Sequence, residues 1–167
     1  MGDGEEAICH ADSHGHRTPA TAWQPTLSLP VGDTDTIVST VPPEAKRLLE
    51  SEPLMAHLGT CVDGRPHVAP VWYRYDESDE VVEIVTTGRK LANVRENPQV
   101  ALSIQQDEAG EAQWMVSLLG TATVVDDDDR TERARERINA KYDAEPEAYA
   151  ENTLVRIAVG SASYRTY

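Results

Sequence analysis

VEIVTTGRKLANVRENPQVALSI, residues 82–104, is the stretch on which the reading of this chain turns. Val81 to Thr87 form an apolar strand pattern, Arg89 to Asn97 put Leu91 and Val94 on one face of a short helix, and Val100, Leu102 and Ile104 alternate as the next strand. Pro98 separates helix from strand, because the residue before a proline is pushed out of helical geometry. A strand thus runs into a helix whose first turn is cationic. Threonine hydroxyls of Thr86 and Thr87, free N–H groups of the helix start and the side chains of Arg89 and Lys90 converge there as a phosphate seat would require. Cations in a first turn oppose the helix dipole unless an anion compensates. Taken alone, the same pair reads equally well as two solvated charges at a turn.

Composition bears on that choice. The chain has 29 Asp and Glu against 15 Lys and Arg, a formal charge of -14, and its lysines are only Lys46, Lys90 and Lys141. An acidic excess with scarce lysine fits a protein of a salt-rich, halophilic cytoplasm, where charge keeps the molecule dispersed and salt screens self-repulsion. Arg89, Lys90 and Arg95 then form a basic island on an acidic molecule. No nucleic-acid partner is expected, since such binders present a basic face that displaces counterions. No segment approaches the roughly 20 apolar residues of a membrane span, and no signal sequence is read in the first forty residues, so a cytoplasmic location without a membrane partner is expected. Cys9 and Cys61 make no disulfide framework.

Residues 1–40 show neither helical nor strand periodicity and read as a disordered acidic and polar extension, leaving residues 41–167 as one domain. Cys9, His10, His14 and His16 do not match a closed zinc spacing, and Asp126 to Asp129 read as a helix cap, so no metal is expected. Pro42-Pro43 open a helix with Ala45, Leu48 and Leu49 on one face. Six strands follow: Met55 to Val62, His67 to Tyr75, Val81 to Thr87, Val100 to Ile104, a fifth from Trp114 to Val124 with a bulge or bend at Gly120, and Thr153 to Val159 before a short terminal segment. A helix from the aspartate run to Lys141 precedes the sixth. The pattern, mainly β with short helices, argues for a closed or nearly closed antiparallel barrel.

Five stretches occur in an order that resembles the pyridoxamine 5'-phosphate oxidase-like superfamily of flavin-binding split barrels: HLGTCVDGRPHVAPVWYRYD, the 82–104 segment itself, AQWMVSLLGTATVVDD, INAKYDAEPEAY and TLVRIAV. The resemblance spans about residues 44–165. It implies a homodimer of six-stranded Greek-key split barrels with FMN in a cleft shared by both chains. It further implies that Thr86 and Thr87 lie near the phosphate and ribityl chain, that Arg89 and Lys90 bind the phosphate, that Val68, Ala69, Pro70 and Val71 border the isoalloxazine through their backbone, and that Gln113 reaches the flavin. Without the family, Gln113 reads as an exposed strand residue.

Departures narrow the expected activity. Members that oxidise the vitamin phosphate carry a lysine where this chain has Tyr73 and a basic C-terminal segment, whereas this chain ends Ser163-Tyr164-Arg165-Thr166-Tyr167. PVWYRYD resembles instead the branch that includes deazaflavin (coenzyme F-420)-dependent reductases. The expectation is therefore an FMN-binding oxidoreductase that transfers hydride to or from a small organic substrate. The alternatives are a deazaflavin-dependent reductase using the same groove and a non-catalytic flavin-binding protein. No catalytic side chain is assigned: the sequence has no G-x-S-x-G elbow, phosphate-binding G-x-x-x-x-G-K, H-E-x-x-H or Rossmann fingerprint. His57 and His67 read as strand histidines, Trp114 as packing or interface, and Trp72 as either pocket wall or core.

Overall fold

The computed structural model describes residues 40–167; the readings placed on the preceding extension and on Cys9, His10, His14 and His16 lie outside the described residues. In chain order the elements are α1 (Pro43–Ser51), β1 (Ala56–Val62), β2 (Arg65–Val71), β3 (Arg74–Asp76), β4 (Val81–Thr86), α2 (Gly88–Glu96), β5 (Gln99–Glu108), β6 (Glu111–Val125), α3 (Asp128–Lys141) and β7 (Thr153–Thr166). All strands join one sheet in the order β2-β1-β5-β6-β7-β4-β3, and every pairing is antiparallel. Among the described residues no helix is long and apolar enough to cross a membrane.

Three expectations need correction. The strands number seven, not six, because the run expected from His67 to Tyr75 breaks at Trp72 and Tyr73 into β2 and β3. Tyr73 is fully buried; its N–H donates to the Tyr142 hydroxyl at 3.2 Å and its own hydroxyl donates to the Leu49 carbonyl at 3.0 Å, which pulls the main chain off the strand path. The sheet is also not closed: β2 and β3 are its two edges. Those edges are nevertheless neighbours along the chain, and three peptide links hold Val71 within about 11 Å of Arg74. The sheet must therefore curl until its edges approach, joined by covalent chain and not by a hydrogen-bonded ladder. The terminal segment is no separate piece either, since β7 runs on through Thr166.

Inward residues alternate along the strands, as a one-sided core demands. Ala56 and Leu58 of β1, Val100, Leu102 and Ile104 of β5, and Trp114, Val116, Leu118 and Ala122 of β6 are buried in one cluster with Leu48 and Leu49 of α1. Each such aliphatic side chain contributes about 1.5–3 kcal/mol on burial. β4 is buried along its whole length, with α3 packed against it. The aspartate run accounts for the start of α3: Asp127 accepts from the Arg130 N–H at 2.9 Å, and Asp128 and Asp129 occupy the first turn, where the dipole favours acid.

Gly120 sits where the β6–β7 register shifts, Leu119 facing Ser161 and Gly120 facing Val159, so that Gly160 is the extra residue. A Cβ at Gly120 would lie 2.6 Å from the Ala158 carbonyl oxygen and 2.8 Å from Ile157 Cγ2, whereas one at Gly160 would meet nothing closer than 3.6 Å. Overpacking against backbone cannot be relieved by a side-chain rotation. Gly120→Ala is expected to destabilise the protein by about 1–3 kcal/mol in urea unfolding, and Gly160→Ala by less than about 0.5 kcal/mol. Equal effects would show that the close approach at Gly120 does not govern the bend.

Candidate functional site

The end of β4 delivers Thr86 and Thr87 to the start of α2. Thr86 is 1% exposed and its hydroxyl has no hydrogen-bond partner. Thr87 is the N-cap residue, with extended backbone (φ -144°, ψ -177°), but its side chain makes no capping bond. Gly88 then takes φ +62°, a left-handed value that a side chain would strain. The first turn of α2 contains no acid. Its N-terminal donors are thus left free of the side-chain caps that usually satisfy them.

The other end of α2 is fixed. Leu91 and Val94 bury against the sheet, Asn93 Nδ2 donates to Thr60 Oγ1 at 2.9 Å, Asn97 Nδ2 donates to the Cys61 carbonyl at 2.8 Å, and Arg95 pairs with Asp126 at 2.9 Å. A rigidly seated helix therefore points its uncapped end into open space. Lys90 lies on that first turn, and neither it nor Arg89 makes an ion pair among the described residues, in a chain with 29 carboxylates.

Those groups face a cleft of about 370 Å³. Val85, Thr86, Thr87 and Lys90 form its base, Met55 and Pro70 to Trp72 one wall, and Tyr149, Glu151 and Asn152 the other. The second wall is a loop held down by Asn139, which is fully buried and donates from Nδ2 to the carbonyls of Glu145, Pro146 and Ala148 at 3.0, 3.1 and 3.0 Å. Tyr149 in that loop has φ +61°, a strained value for a residue with a side chain. Asn152 donates to the Val85 carbonyl at 3.3 Å, while its Oδ1 is buried without a partner. The cleft thus holds two orphaned polar oxygens, on Thr86 and Asn152, beside a cation and a helix N-terminus.

Trp72 is the aromatic part of the wall. It stacks on Tyr142 with centroids 4.6 Å apart and planes 6° from parallel, and it meets Tyr149 edge-on at 5.1 Å. The Tyr142 hydroxyl donates to the Leu54 carbonyl at 2.6 Å, and burial pushes its pKa up to about 12.

Of the residues singled out in the sequence, Pro70, Val71, Thr86, Thr87 and Lys90 line the cleft, with Trp72 beside them. Arg89 is exposed on the same turn, outside the lining. Val68, 66% exposed, and Ala69 lie upstream on edge strand β2. Gln113 is exposed on β6, its Nε2 donating to the Glu111 carbonyl at 3.2 Å. His57 and His67 do not line the cleft, and Trp114 is buried with its indole N–H on Gln106 Oε1 at 2.6 Å. Tyr149, Glu151 and Asn152 were given no role in the sequence reading: no periodicity marks a loop residue, and only Tyr149, as the last residue of INAKYDAEPEAY, falls within a stretch that carries the resemblance.

A family model described as pyridoxamine 5'-phosphate oxidase matches residues 41–165. Among solved structures, one titled F420 reductase is 27% identical with a TM-score of 0.58, covering 70% of this chain and 94% of that one. A conserved protein of unknown function from Corynebacterium diphtheriae is 26% identical with a TM-score of 0.58, covering 74% and 92%. A FAD-binding protein from Mesorhizobium loti shares the fold at 21% identity and a TM-score of 0.59, covering 72% and 89%. No curated protein matches the chain.

Behind the aromatic wall, Lys141 Nζ sits 3.7 Å from the centre of the Tyr73 ring and 5.7 Å from that of Tyr142, and donates to the Leu49 carbonyl at 3.3 Å. Burial lowers its pKa from 10.5 to about 8, with Glu50 opposing and Arg74 reinforcing that shift. The folded lysine thus releases its proton at lower pH than the unfolded one. Below pH 8 both states are protonated and the cost of burying the charge is present in full; from about 8 to 10.5 only the unfolded chain keeps the proton, so stability rises with pH in that window. Tyr142, held at about 12, opposes this trend only once unfolded tyrosines begin to ionise near pH 10. Between pH 8 and 10 the midpoint of thermal unfolding is expected to rise relative to Lys141→Met, whose profile lacks this component. Parallel profiles for the two proteins would refute the assignment.

Proposed function

This chain belongs to the pyridoxamine 5'-phosphate oxidase-like family, and from that premise we propose that it is an FMN-binding oxidoreductase that moves hydride to or from a small organic substrate. The observation that carries the reading is the Thr86 hydroxyl, 1% exposed and without a partner, beside the uncapped start of α2 and an unpaired Lys90 in one cleft. An oxyanion supplies what each of these lacks: an acceptor for free N–H groups and for the hydroxyl, and a negative charge for the lysine.

The residues present fit a flavin phosphate. Thr86, Thr87, Lys90 and the first-turn N–H groups of α2 would hold it, with Arg89 adding charge from the outer side of the turn. Asn152 Oδ1, an orphaned acceptor, suits a hydroxyl of the ribityl chain. Val68 to Val71 would border the ring along the edge of β2, Gln113 would reach the flavin from a neighbouring strand, and a homodimer would share the cleft between its two copies. When bound, the flavin supplies the hydride chemistry. The protein's part is to fix the phosphate end, wall the ring with Trp72 and keep water from its face. Tyr73 is fully buried with its hydroxyl committed to the Leu49 carbonyl, so it offers nothing to a substrate phosphate. That supports a substrate other than pyridoxamine phosphate. The acidic composition supports a cytoplasmic, salt-adapted setting.

A second reading, a reductase using the deazaflavin coenzyme F-420 in the same groove, is favoured by the likeness to the structure titled F420 reductase, which this chain covers over 94% of its length. The two cofactors share a tricyclic ring and a ribityl phosphate, so one seat serves both. A third reading keeps flavin binding and drops turnover.

Purification from a host that makes both cofactors, followed by mass identification of the small molecule released on denaturation, separates them. Retained FMN supports the first reading; an empty protein that binds reduced deazaflavin supports the second; bound flavin that neither reductant nor oxidant turns over supports the third. Lys90→Ala is expected to weaken cofactor binding about 10–100-fold, the effect of one lost charge-assisted contact, with an unchanged melting temperature. Arg89→Ala should weaken it less, because Arg89 lies outside the cleft lining. Unchanged affinity in Lys90→Ala would remove the phosphate from this seat.

A further inference from the structure

A second hollow, of about 260 Å³, shares no residue with the cleft and is lined by Arg130, Arg133 and Arg137 of α3, Arg156 of β7, and three carboxylates. The carboxylates are already engaged. Glu83, 4% exposed in the middle of β4, lies 3.2 Å from Arg74, 3.4 Å from Arg137 and 3.4 Å from Arg156. Asp76 pairs with Arg74 at 3.2 Å and accepts from the Ser78 hydroxyl at 2.6 Å, and Asp79 pairs with Arg156 at 2.6 Å.

Neutralising the buried Glu83 explains Arg74, Arg137 and Arg156. It does not explain Arg130 and Arg133, whose guanidinium groups make no ion pair or hydrogen bond among the described residues. Arg130, Arg133 and Arg137 stand three and four residues apart along one face of α3, where like charges repel, although Asp128 and Asp129 share the first turn with Arg130. Arg156 Nε adds a third unmet donor, buried without a hydrogen-bond partner although Glu83 is near. This concentration of arginine stands on a chain of net charge -14, with 29 acidic residues against 15 Lys and Arg.

We propose that this hollow is a binding site for a compact oxyanion of the phosphate class, gripped by the forks of Arg130 and Arg133 with Arg156 Nε behind them. Guanidinium presents parallel N–H donors that match two oxygens of one phosphoryl group, which an ammonium cannot do. The site is independent of the cofactor cleft. Its ligand is either inorganic phosphate or the phosphoryl end of a small monoester, and the shared chemistry is the tetrahedral oxyanion.

The test is calorimetric titration of the full chain with inorganic phosphate, and separately with glycerol phosphate, at fixed pH and ionic strength. Wild type and Lys90→Ala should both bind at the arginine hollow, and Arg130→Gln/Arg133→Gln should lose about tenfold or more in affinity there. Tighter binding of the free anion or of the monoester identifies the source, and either supports the site. Arg130→Lys/Arg133→Lys keeps the charge without the fork and should fall between. In the Lys90→Ala background, where the cofactor seat is weakened, phosphate should also raise the melting temperature beyond what equimolar sodium chloride does, and this rise should disappear when Arg130→Gln/Arg133→Gln is added. The proposal is overturned if Lys90→Ala abolishes all phosphate binding, if the Gln variant binds as wild type does, or if chloride reproduces the thermal shift.

Discussion

One hydroxyl organises the molecule. Tyr142 Oη donates to the Leu54 carbonyl and accepts from the Tyr73 N–H, so it ties the end of α3 to the chain on either side of β1 and β2. Held there, residues 72 and 73 cannot continue the strand. The chain crosses from one edge of the sheet to the other, Tyr73 turns into the core, and Trp72 turns out onto the Tyr142 ring. The split in the sheet and the aromatic wall of the cleft thus have a single cause. A closed ladder at this point would satisfy more backbone groups but leave no groove between the edges.

The cleft is assembled from parts whose positions are set elsewhere. Asn93 and Asn97 fasten α2 to β1, and Asn139 fastens the loop that carries Tyr149 and Asn152. Each uses a side-chain amide N–H, partly buried at Asn93 and Asn97 and fully buried at Asn139, to satisfy carbonyl or hydroxyl oxygens, the usual fate of polar groups out of water. Thr86 Oγ1 and Asn152 Oδ1 depart from that rule within one cavity. An unpaired buried polar atom costs roughly 1–3 kcal/mol, so two around one cleft, at its base and on its wall, represent stability given up. The strained φ of Tyr149 belongs to the same pattern.

Much of this was legible in the sequence, and the limits have physical reasons. The 82–104 segment was legible because three signals agree there: alternation, helical spacing and a proline boundary. The caps of α3 and the irregularity at Gly120 were legible because both arise from local chemistry, an aspartate side chain reaching the next turn and a residue lacking Cβ. The break at Trp72 was not, since Trp72 and Tyr73 continue a β-favouring apolar run and the group that interrupts it lies 69 residues away. Tyr149 and Asn152 were missed for a related reason: a loop residue acquires its role from the element that pins it, and the pin is a buried asparagine on another segment. The arginine hollow left no mark in the sequence, because Glu83, the buried acid that gathers Arg74, Arg137 and Arg156 from three elements, sits in an otherwise apolar strand.

Charge gives the last constraint. With 29 acids against 15 bases, a cation on this surface has carboxylates to choose from, and half of the described bases pair with one: Lys46 meets Glu80 at 3.0 Å, Arg95 meets Asp126, and Arg156 meets Asp79. An unpaired cation gains meaning here from what stands beside it: a cavity and orphaned polar atoms at Lys90, a hollow and the unmet Nε of Arg156 at Arg130 and Arg133. High salt strengthens the point. Screening weakens long-range attraction between exposed charges, so anion capture under such conditions depends on short, directed contacts inside a concave site. The two proposed sites, free helix donors with a buried hydroxyl at Lys90 and paired forks at Arg130 and Arg133, would be two forms of that solution, one suited to a phosphate carried on a larger body and the other to a compact anion.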